Sequence, residues 1–182
     1  KIGVATALIN NNLTSQALAH CLTISNAFNI ICDEDCWQSV EDARPHVGRN
    51  LMLWVHGLRD GEETNERRDL DNAVRSASSV RPDRALRSGL TNRDTVMFIF
   101  TSGTTGLPKA ARIPHSRART YLRAFAGAVN AKPTDILYNC LPLYHSTGGL
   151  CGTGAMLLNG GKMVIRRRFS ATNFWPDVKA TA

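Results

Sequence analysis

One segment near the middle of the chain combines glycines, small hydroxyl side chains and a lysine in a way that suits phosphate binding. It is Thr101-Ser102-Gly103-Thr104-Thr105-Gly106-Leu107-Pro108-Lys109, and it directly follows the apolar run Val96 to Phe100. Glycine and small hydroxyl residues leave backbone N–H groups accessible and add side-chain donors, so the loop can surround an anion. Lys109 adds a positive charge at its far end and Pro108 stiffens the approach, which favours a polyphosphate over a single carboxylate.

Two other interpretations of this segment compete with phosphate binding. A glycine-rich turn between two strands that binds nothing is equally compatible with the composition alone. A Walker A loop requires G-x-x-x-x-G-K followed by Ser or Thr, whereas Lys109 stands three residues after Gly106 and Ala110 follows it. The spacing and the missing magnesium-binding hydroxyl exclude the Walker A interpretation.

A second segment, Leu141-Pro142-Leu143-Tyr144-His145-Ser146-Thr147-Gly148-Gly149, places a histidine beside an aromatic ring. On residue type alone, a histidine next to apolar residues is more often structural than catalytic. The other histidines and the pair Cys32 and Cys36 lack the spacing of metal ligands, so we expect structural roles for them and predict no metal site. These other histidines are His20, His46, His56 and His115.

The first segment resembles the signature phosphate loop of the adenylate-forming, or AMP-binding, superfamily, which includes acyl-CoA synthetases, adenylation domains of peptide synthetases and luciferases. In that family the loop closes over the β- and γ-phosphates of ATP. The resemblance therefore implies that these phosphates are contacted by Thr101, Ser102, Gly103, Thr104, Thr105, Gly106 and Lys109.

The second segment resembles the Pro-Leu-aromatic-His stretch of the same family, near the acyl pocket and the channel for the CoA thiol. The resemblance places Tyr144, His145, Gly148 and Gly149 along this channel and reverses our preference for a structural His145. Lys109 and His145 become the two catalytic candidates. For His145 we expect substrate placement rather than proton transfer, because this chemistry depends mainly on positioning and charge neutralisation.

Within the superfamily, the chain is most similar to the long- and very-long-chain acyl-CoA synthetases called fatty acid transport proteins. The similarity extends to Ala110-Ala111-Arg112, to His115-Ser116-Arg117 and to two opening stretches, Ala7 to Leu13 and Leu18 to Leu22. It implies ATP, magnesium and CoA as cosubstrates and a fatty acid as the acyl donor. Two alternatives stay open: a ligase for another carboxylic acid, and a non-catalytic nucleotide-binding or lipid-transport module.

Short apolar runs alternate with helical segments, which predicts an α/β fold with a mostly parallel sheet flanked by helices. The resemblance implies that this fold is part of the large domain of an adenylate-forming enzyme. Helices are expected at Ser15 to Ser25 with Thr14 or Ser15 as N-cap, after Asp33, and at Leu70 to Ala77, Ser116 to Val129, Leu150 to Leu158 and Ala171 to Val178. Strands are expected at Val4 to Ile9, Asn29 to Cys32, Leu51 to His56, Thr95 to Phe100, Ile136 to Cys140 and Lys162 to Ile165. We expect Thr101 to Lys109 to form a loop.

The segment 57–92 is rich in charged and small residues and poor in large apolar ones. We therefore predict an N-terminal α/β piece at 1–56, an exposed connection at 57–92 and a phosphate-loop-bearing α/β piece at 93–182. The resemblance implies that both α/β pieces belong to the same AMP-binding domain.

The formal net charge of +7 favours anionic partners without choosing among them. Arginines gather between 112 and 123 and again at 166–168, without aromatic residues interleaved in the way that a base-stacking surface requires, so we expect a solvated or lipid-facing surface and no nucleic-acid binding. No signal peptide or membrane-spanning apolar run is evident, which predicts a cytoplasmic protein and leaves peripheral membrane association open. The five cysteines lack a C-x-x-C pair and are expected to be reduced thiols.

Several family elements have no counterpart in the sequence: the aromatic-Gly-x-Thr-Glu stretch, the ribose-binding aspartate, the hinge and the C-terminal catalytic lysine. We therefore expect the chain to be a fragment whose remaining partner is the rest of the same polypeptide. Residues that contact adenine, ribose and magnesium would lie in that remainder.

The isolated 182-residue chain is predicted to have no acyl-CoA synthetase activity and to bind Mg-ATP no more tightly than millimolar, about 4 kcal/mol. It supplies donors for the phosphates but not for the base and sugar. Titration calorimetry tests affinity, and pyrophosphate release with fatty acid tests activity. Micromolar affinity or measurable turnover would contradict the prediction.

Overall fold

The structure is a computed structural model that describes residues 2–101 and 106–181. Its α-helices are α1 Ser15–Ser25, α2 Trp37–Ala43, α3 Leu70–Ser76, α4 His115–Ala128, α5 Thr153–Asn159 and α6 Ala171–Thr181. Its strands are β1 Thr6–Leu8, β2 Asn29–Asp33, β3 Met52–His56, β4 Arg67–Asp69, β5 Thr95–Thr101, β6 Lys109–Pro114, β7 Ile136–Asn139 and β8 Lys162–Ile165. Short 3-10 turns lie at Arg44–His46 and Arg84–Arg87, and a π-helical turn lies at Ser146–Gly152.

The strand pairs β1–β5, β2–β3, β3–β4 and β7–β8 are all parallel. The strands form three sheets, with the orders β1-β5-β6, β2-β3-β4 and β7-β8. A helix connects β2 to β3 and β7 to β8, as is usual for parallel strands, whereas residues 57–66 connect β3 to β4 without a helix. The predicted mostly parallel α/β fold is therefore confirmed.

All predicted strands and helices are present, and α1 and β8 have the predicted bounds. Two strands were missed. The sequence of β4 is Arg-Arg-Asp, which carries no apolar alternation, and this strand exists because its backbone pairs with β3. The other missed strand, β6, begins at Lys109, where we expected the loop to end. The domain division at 57–92 stays a prediction.

The chain divides into two compact units, the first formed by residues 1–3, 9–88 and 100–111, and the second by 4–8, 89–99 and 112–182. The core of the first unit lies between α1, α2 and the sheet β2-β3-β4. Side chains of β3 alternate with the period of two that a strand imposes, so Leu53 and Val55 are fully buried between less buried neighbours. Leu18, Leu22 and Val40 pack against them from the two helices.

Helix α1 is held at its C-terminus as well as along its buried face. It ends at Asn26, which adopts the left-handed conformation with φ 51° and donates its N–H to the Thr23 carbonyl. Arg49 donates from Nη1 to the Thr23 carbonyl at 3.3 Å and from Nε to the Ala27 carbonyl at 3.2 Å. Cationic donors at this end add partners for carbonyls in and just beyond the last turn of the helix. The predicted N-cap residue Thr14 stands at the start of α1 but makes no side-chain capping hydrogen bond.

The core of the second unit is formed by Ile99, Ile113 and Leu150, with Leu8, Tyr121 and Leu122 packed around them. Helices α4 and α5 approach closely at Gly154, where an added Cβ would lie 2.1 Å from Leu122 Cγ. In the described part of the chain, none of the helices combines the length and apolar character needed to cross a bilayer.

Replacement of Leu53 by alanine is expected to lower the free energy of unfolding by about 2 to 5 kcal/mol, because it leaves a cavity in a rigid core. The matched control is Ile31→Ala on the adjacent strand β2, where the side chain is 69% exposed, with an expected change of about 0.5 kcal/mol or less. Urea unfolding of both variants measures the difference. Equal losses would show that β3 is not the central strand of this core.

Candidate functional site

The first candidate segment begins where β5 ends. Thr101, the last residue of β5, is exposed, and the next residue that the structure describes is Gly106. Ser102, Gly103, Thr104 and Thr105 lie outside the described residues. Their predicted contacts with phosphates, and the loop predicted over them, stay predictions.

Gly106 has φ +149°, within the range that L side chains rarely adopt, yet an added Cβ would meet no heavy atom within 4 Å. The glycine is therefore required by the backbone conformation and not by lack of space. Leu107 beside it is 49% exposed. The exit of the loop is thus open, which suits a segment that approaches a ligand.

Lys109 is exposed and is the first residue of β6. Thr101 Oγ1 donates a hydrogen bond of 3.4 Å to the Lys109 carbonyl, so the two ends of the loop are joined at this point. Among the described residues, no carboxylate forms an ion pair with Lys109. Its positive charge is therefore not neutralised by the described part of the protein, as an anion-binding lysine requires.

Pro108, just before Lys109, is contacted by a residue that the sequence analysis treated as structural. The ring of His20 on α1 lies with Nε2 3.0 Å from the Pro108 carbonyl oxygen. The two residues are 88 positions apart, and no spacing pattern in the sequence links them.

The second candidate segment lies in the second unit and follows β7. Its chain turns back at His145, whose N–H donates to the Pro142 carbonyl at 3.1 Å and whose carbonyl accepts from Gly149 N–H at 2.8 Å. The ring of His145 lies 4.9 Å from that of half-buried Tyr144, and His145 itself is exposed. The structure therefore brings these two predicted residues together on an accessible surface. The π-helical turn that follows is a rare feature, frequent at functional sites.

Gly148 and Gly149 allow this turn to lie directly against the preceding backbone. A Cβ at position 148 would lie 2.7 Å from the Pro142 carbonyl oxygen, and one at 149 would lie 2.0 Å from the Leu143 carbonyl oxygen. Such distances are not tolerated between a carbon and a backbone oxygen. Within this unit, the two glycines act by close packing beneath Tyr144 and His145.

Asn139, at the end of β7, forms hydrogen bonds that hold the same turn. The sequence analysis did not identify this residue. It is 4% exposed. Its Nδ2 donates to the Gly148 carbonyl at 3.1 Å, and its Oδ1 accepts from Leu141 N–H at 3.2 Å. Thr153 Oγ1 donates to the same Gly148 carbonyl at 2.8 Å. A polar residue that closes an apolar strand directly before the motif is the signal that could have identified it.

His56, Cys21 and Cys32 also carry reactive groups, and their surroundings suit structural roles. His56 pairs with Asp71 at 2.8 Å, and this hydrogen bond raises the pKa of the histidine. Burial raises the pKa of the Cys21 thiol to about 11 and that of Cys32 to about 12, so neither is a ready nucleophile. In residues 2–101 and 106–181, no group of three or more His, Cys, Asp or Glu side chains is arranged to hold a metal ion.

Comparison with known protein families matches residues 1–181 to the family described as AMP-binding enzyme. Among curated proteins, the chain is 36% identical over 178 residues to the long-chain fatty acid transport protein 1 of Homo sapiens. The alignment covers 97% of this chain and 27% of that protein. The chain thus spans about a quarter of the length of this relative.

Solved structures with similar folds include a CoA ligase and MatB. A malonyl-CoA ligase with methylmalonyl-CoA and AMP bound is 28% identical, with a TM-score of 0.68 over 99% of this chain and 33% of that chain. ATP-bound MatB from Rhodopseudomonas palustris is 23% identical, with a TM-score of 0.73 over 96% of this chain and 32% of that chain. The second match concerns the fold alone.

The same substitution at two glycines is expected to have opposite effects on stability. Gly148→Ala should lower the free energy of unfolding by about 1 to 3 kcal/mol, because the Cβ clashes with the Pro142 and Leu141 carbonyls. Gly127→Ala in α4, where a Cβ has no neighbour within 4 Å, should raise it by about 0.5 to 1 kcal/mol. Chemical denaturation measures both, and a neutral Gly148→Ala would refute the close packing.

Proposed function

This chain belongs to the family of AMP-binding enzymes, and from that premise we propose that it is part of a fatty acyl-CoA synthetase. The complete protein would be a longer polypeptide that activates a long-chain fatty acid with ATP and transfers the acyl group to CoA. In this proposal the isolated chain is inactive, because it supplies a part of the ATP site and of the acyl channel.

The observation that carries the proposal is the exposed ammonium of Lys109, which has no ion-pair partner among the described residues, at the exit of a glycine- and hydroxyl-rich loop. An anion with several negative oxygens would provide the missing charge partner. Thr101, Ser102, Gly103, Thr104, Thr105 and Gly106 would supply hydroxyl and backbone N–H donors to the same oxygens. This combination suits the β- and γ-phosphates of ATP better than a single carboxylate.

The reaction proceeds in two steps. A fatty acid carboxylate attacks the α-phosphorus of ATP, the bond to the bridging oxygen of the β-phosphate breaks, and pyrophosphate leaves. The CoA thiolate then attacks the acyl carbonyl carbon, and AMP leaves with the electron pair of the acyl–oxygen bond. In the first step, Lys109 and the loop donors stabilise the negative charge that accumulates on pyrophosphate, an effect worth several kcal/mol of barrier when the donors are preorganised.

Tyr144 and His145 are proposed to contact the acyl group or the pantetheine arm of CoA. The exposure of His145 and the half-burial of the adjacent Tyr144 ring support this role. In this proposal Gly148 and Gly149 contribute through the close packing that supports the turn. Tyr144 and His145 then line the channel. The proposed task of His145 is placement of the substrate.

Magnesium enters the proposal through the chemistry of ATP, which proteins handle as its magnesium complex. The ion neutralises phosphate charge when it is bound. We assign no residue of this chain as its ligand.

We also propose a cytoplasmic location with peripheral attachment to an anionic membrane surface. The exposed Phe169 and Trp175, 59% and 64% accessible, lie near Arg168 in the sequence and support it. Such a mixture of aromatic and basic residues is typical of segments that lie at the headgroup level. Arg166 is not part of this surface charge, since Asp177 neutralises it.

A ligase for another carboxylic acid is the second candidate function, favoured by the 28% identity to a malonyl-CoA ligase. The two candidates share the phosphate loop and differ in the acid that they accept. A panel of long-chain, dicarboxylic, aryl and amino acids, assayed by acid-dependent pyrophosphate release, separates them.

In the longer polypeptide, Lys109→Ala is expected to lower kcat/KM for pyrophosphate release about a hundredfold or more, as loss of one preorganised charge does. Thermal stability should not change, because the side chain is exposed. Lys162→Ala is the matched control, since Lys162 is also exposed and also begins a strand. A normal rate for Lys109→Ala would refute the proposed phosphate site.

A further inference from the structure

One hydrogen bond connects α1 to the end of the phosphate loop within the first unit. His20 Nε2 lies 3.0 Å from the Pro108 carbonyl oxygen, and the contact is partly buried. Because a carbonyl oxygen can only accept, Nε2 must carry a proton and donate it. The partner therefore determines which nitrogen of the His20 ring is protonated.

The donor is presented by a rigid element. Its neighbours Ala19 and Cys21 are 4% and 0% exposed, and Leu18 and Leu22 on the same helix belong to the core of the unit. In addition, Arg49 donates to the Thr23 and Leu22 carbonyls in the last turn of α1. A close-packed helix of this kind cannot shift without opening gaps in the core, so the position of His20 Nε2 is set by the fold.

The acceptor controls the backbone of Lys109. The Pro108 carbonyl belongs to the same planar peptide group as Lys109 N. A hydrogen bond that fixes this oxygen therefore also fixes the orientation of the peptide plane that precedes the Lys109 Cα atom. The next carbonyl, that of Lys109 itself, accepts from Thr101 Oγ1 at 3.4 Å. The carbonyls on both sides of the Lys109 Cα atom are therefore held by side chains. Pro108 has no N–H, which leaves its carbonyl as its backbone hydrogen-bonding group.

We propose that His20 is a positioning residue for Lys109, and that it acts on the affinity of the protein for the polyphosphate of ATP. The inference rests on the function proposed above, in which Lys109 contacts the β- and γ-phosphates. Without the His20 hydrogen bond, the peptide before Lys109 can rotate and the ammonium must be ordered when ATP binds. That ordering reduces the affinity for ATP and leaves the affinity for the fatty acid unchanged.

His20→Phe in the longer polypeptide tests the proposal, because phenylalanine keeps an aromatic ring and removes the donor. The KM for ATP is expected to rise about three- to tenfold, the range for one neutral hydrogen bond, with the KM for fatty acid unchanged. His20→Gln places an amide donor near the Nε2 position and should restore the KM for ATP to within about twofold of wild type. The control is His46→Phe, since His46 is an exposed histidine of the same unit, and it should change neither KM.

A double-mutant cycle separates positioning from a general structural effect. In the Lys109→Ala background, His20→Phe should cause no further loss, because the group that it positions is gone. If His20→Phe fails to fold, His20→Asn must show the same ATP defect, since its shorter side chain does not reach the Pro108 oxygen.

Three results would overturn the positioning role: an unchanged KM for ATP, equal changes in both KM values, or no rescue by glutamine. A strong Lys109→Ala defect beside a normal His20→Phe would refute this inference and leave the proposed function standing. A normal Lys109→Ala would refute both.

Discussion

Both candidate segments respond to one constraint, which is that backbone groups need partners where a parallel strand leaves its sheet. Strand β5 pairs with β1 and ends at Thr101, and β7 pairs with β8 and ends at Asn139. Beyond Asn139 the ladder no longer supplies hydrogen bonds, and an unpaired buried group is costly. Ligand sites of open α/β sheets lie at such carboxyl ends of strands.

The two segments meet this constraint in different ways. After β7 the protein satisfies its own backbone: Asn139 and Thr153 both donate to the Gly148 carbonyl, and the glycines allow the turn to pack against Pro142 and Leu143. The described side chains contain no buried nitrogen or oxygen without a partner. The turn that follows Tyr144 and His145 is therefore held by hydrogen bonds and close packing. A rigid support of this kind suits side chains that hold a substrate in place.

The first segment differs in that its lysine, Lys109, has no ion-pair partner among the described residues. Lys109 is exposed while the backbone around it is held by Thr101 and His20. A fixed backbone whose ammonium forms no ion pair within the described part of the chain resembles a site prepared for an anion, because the ordering cost of the lysine backbone is met during folding and not during binding. Elsewhere among the described residues, His56 pairs with Asp71 and Arg166 pairs with Asp177.

The sequence by itself determined the class of fold and the location of both segments. Apolar runs with a strand period and helices such as Ser15–Ser25 are local patterns, so they can be read without knowledge of distant neighbours. The phosphate-loop wording and the Tyr-His pair are equally local. These features predicted the α/β architecture, the family and the residues to which a function is now proposed.

The tertiary structure decided what those residues touch. The charged strand β4 exists through pairing with β3, the glycines after His145 act through contact with Pro142 and Leu143, and His20 meets Pro108 across 88 positions. None of these contacts leaves a periodic or spaced signal, because each depends on two surfaces that meet after the chain has folded. Sequence indicates which groups are available for chemistry, whereas the packing of distant segments determines which of them are held in place and which are left free.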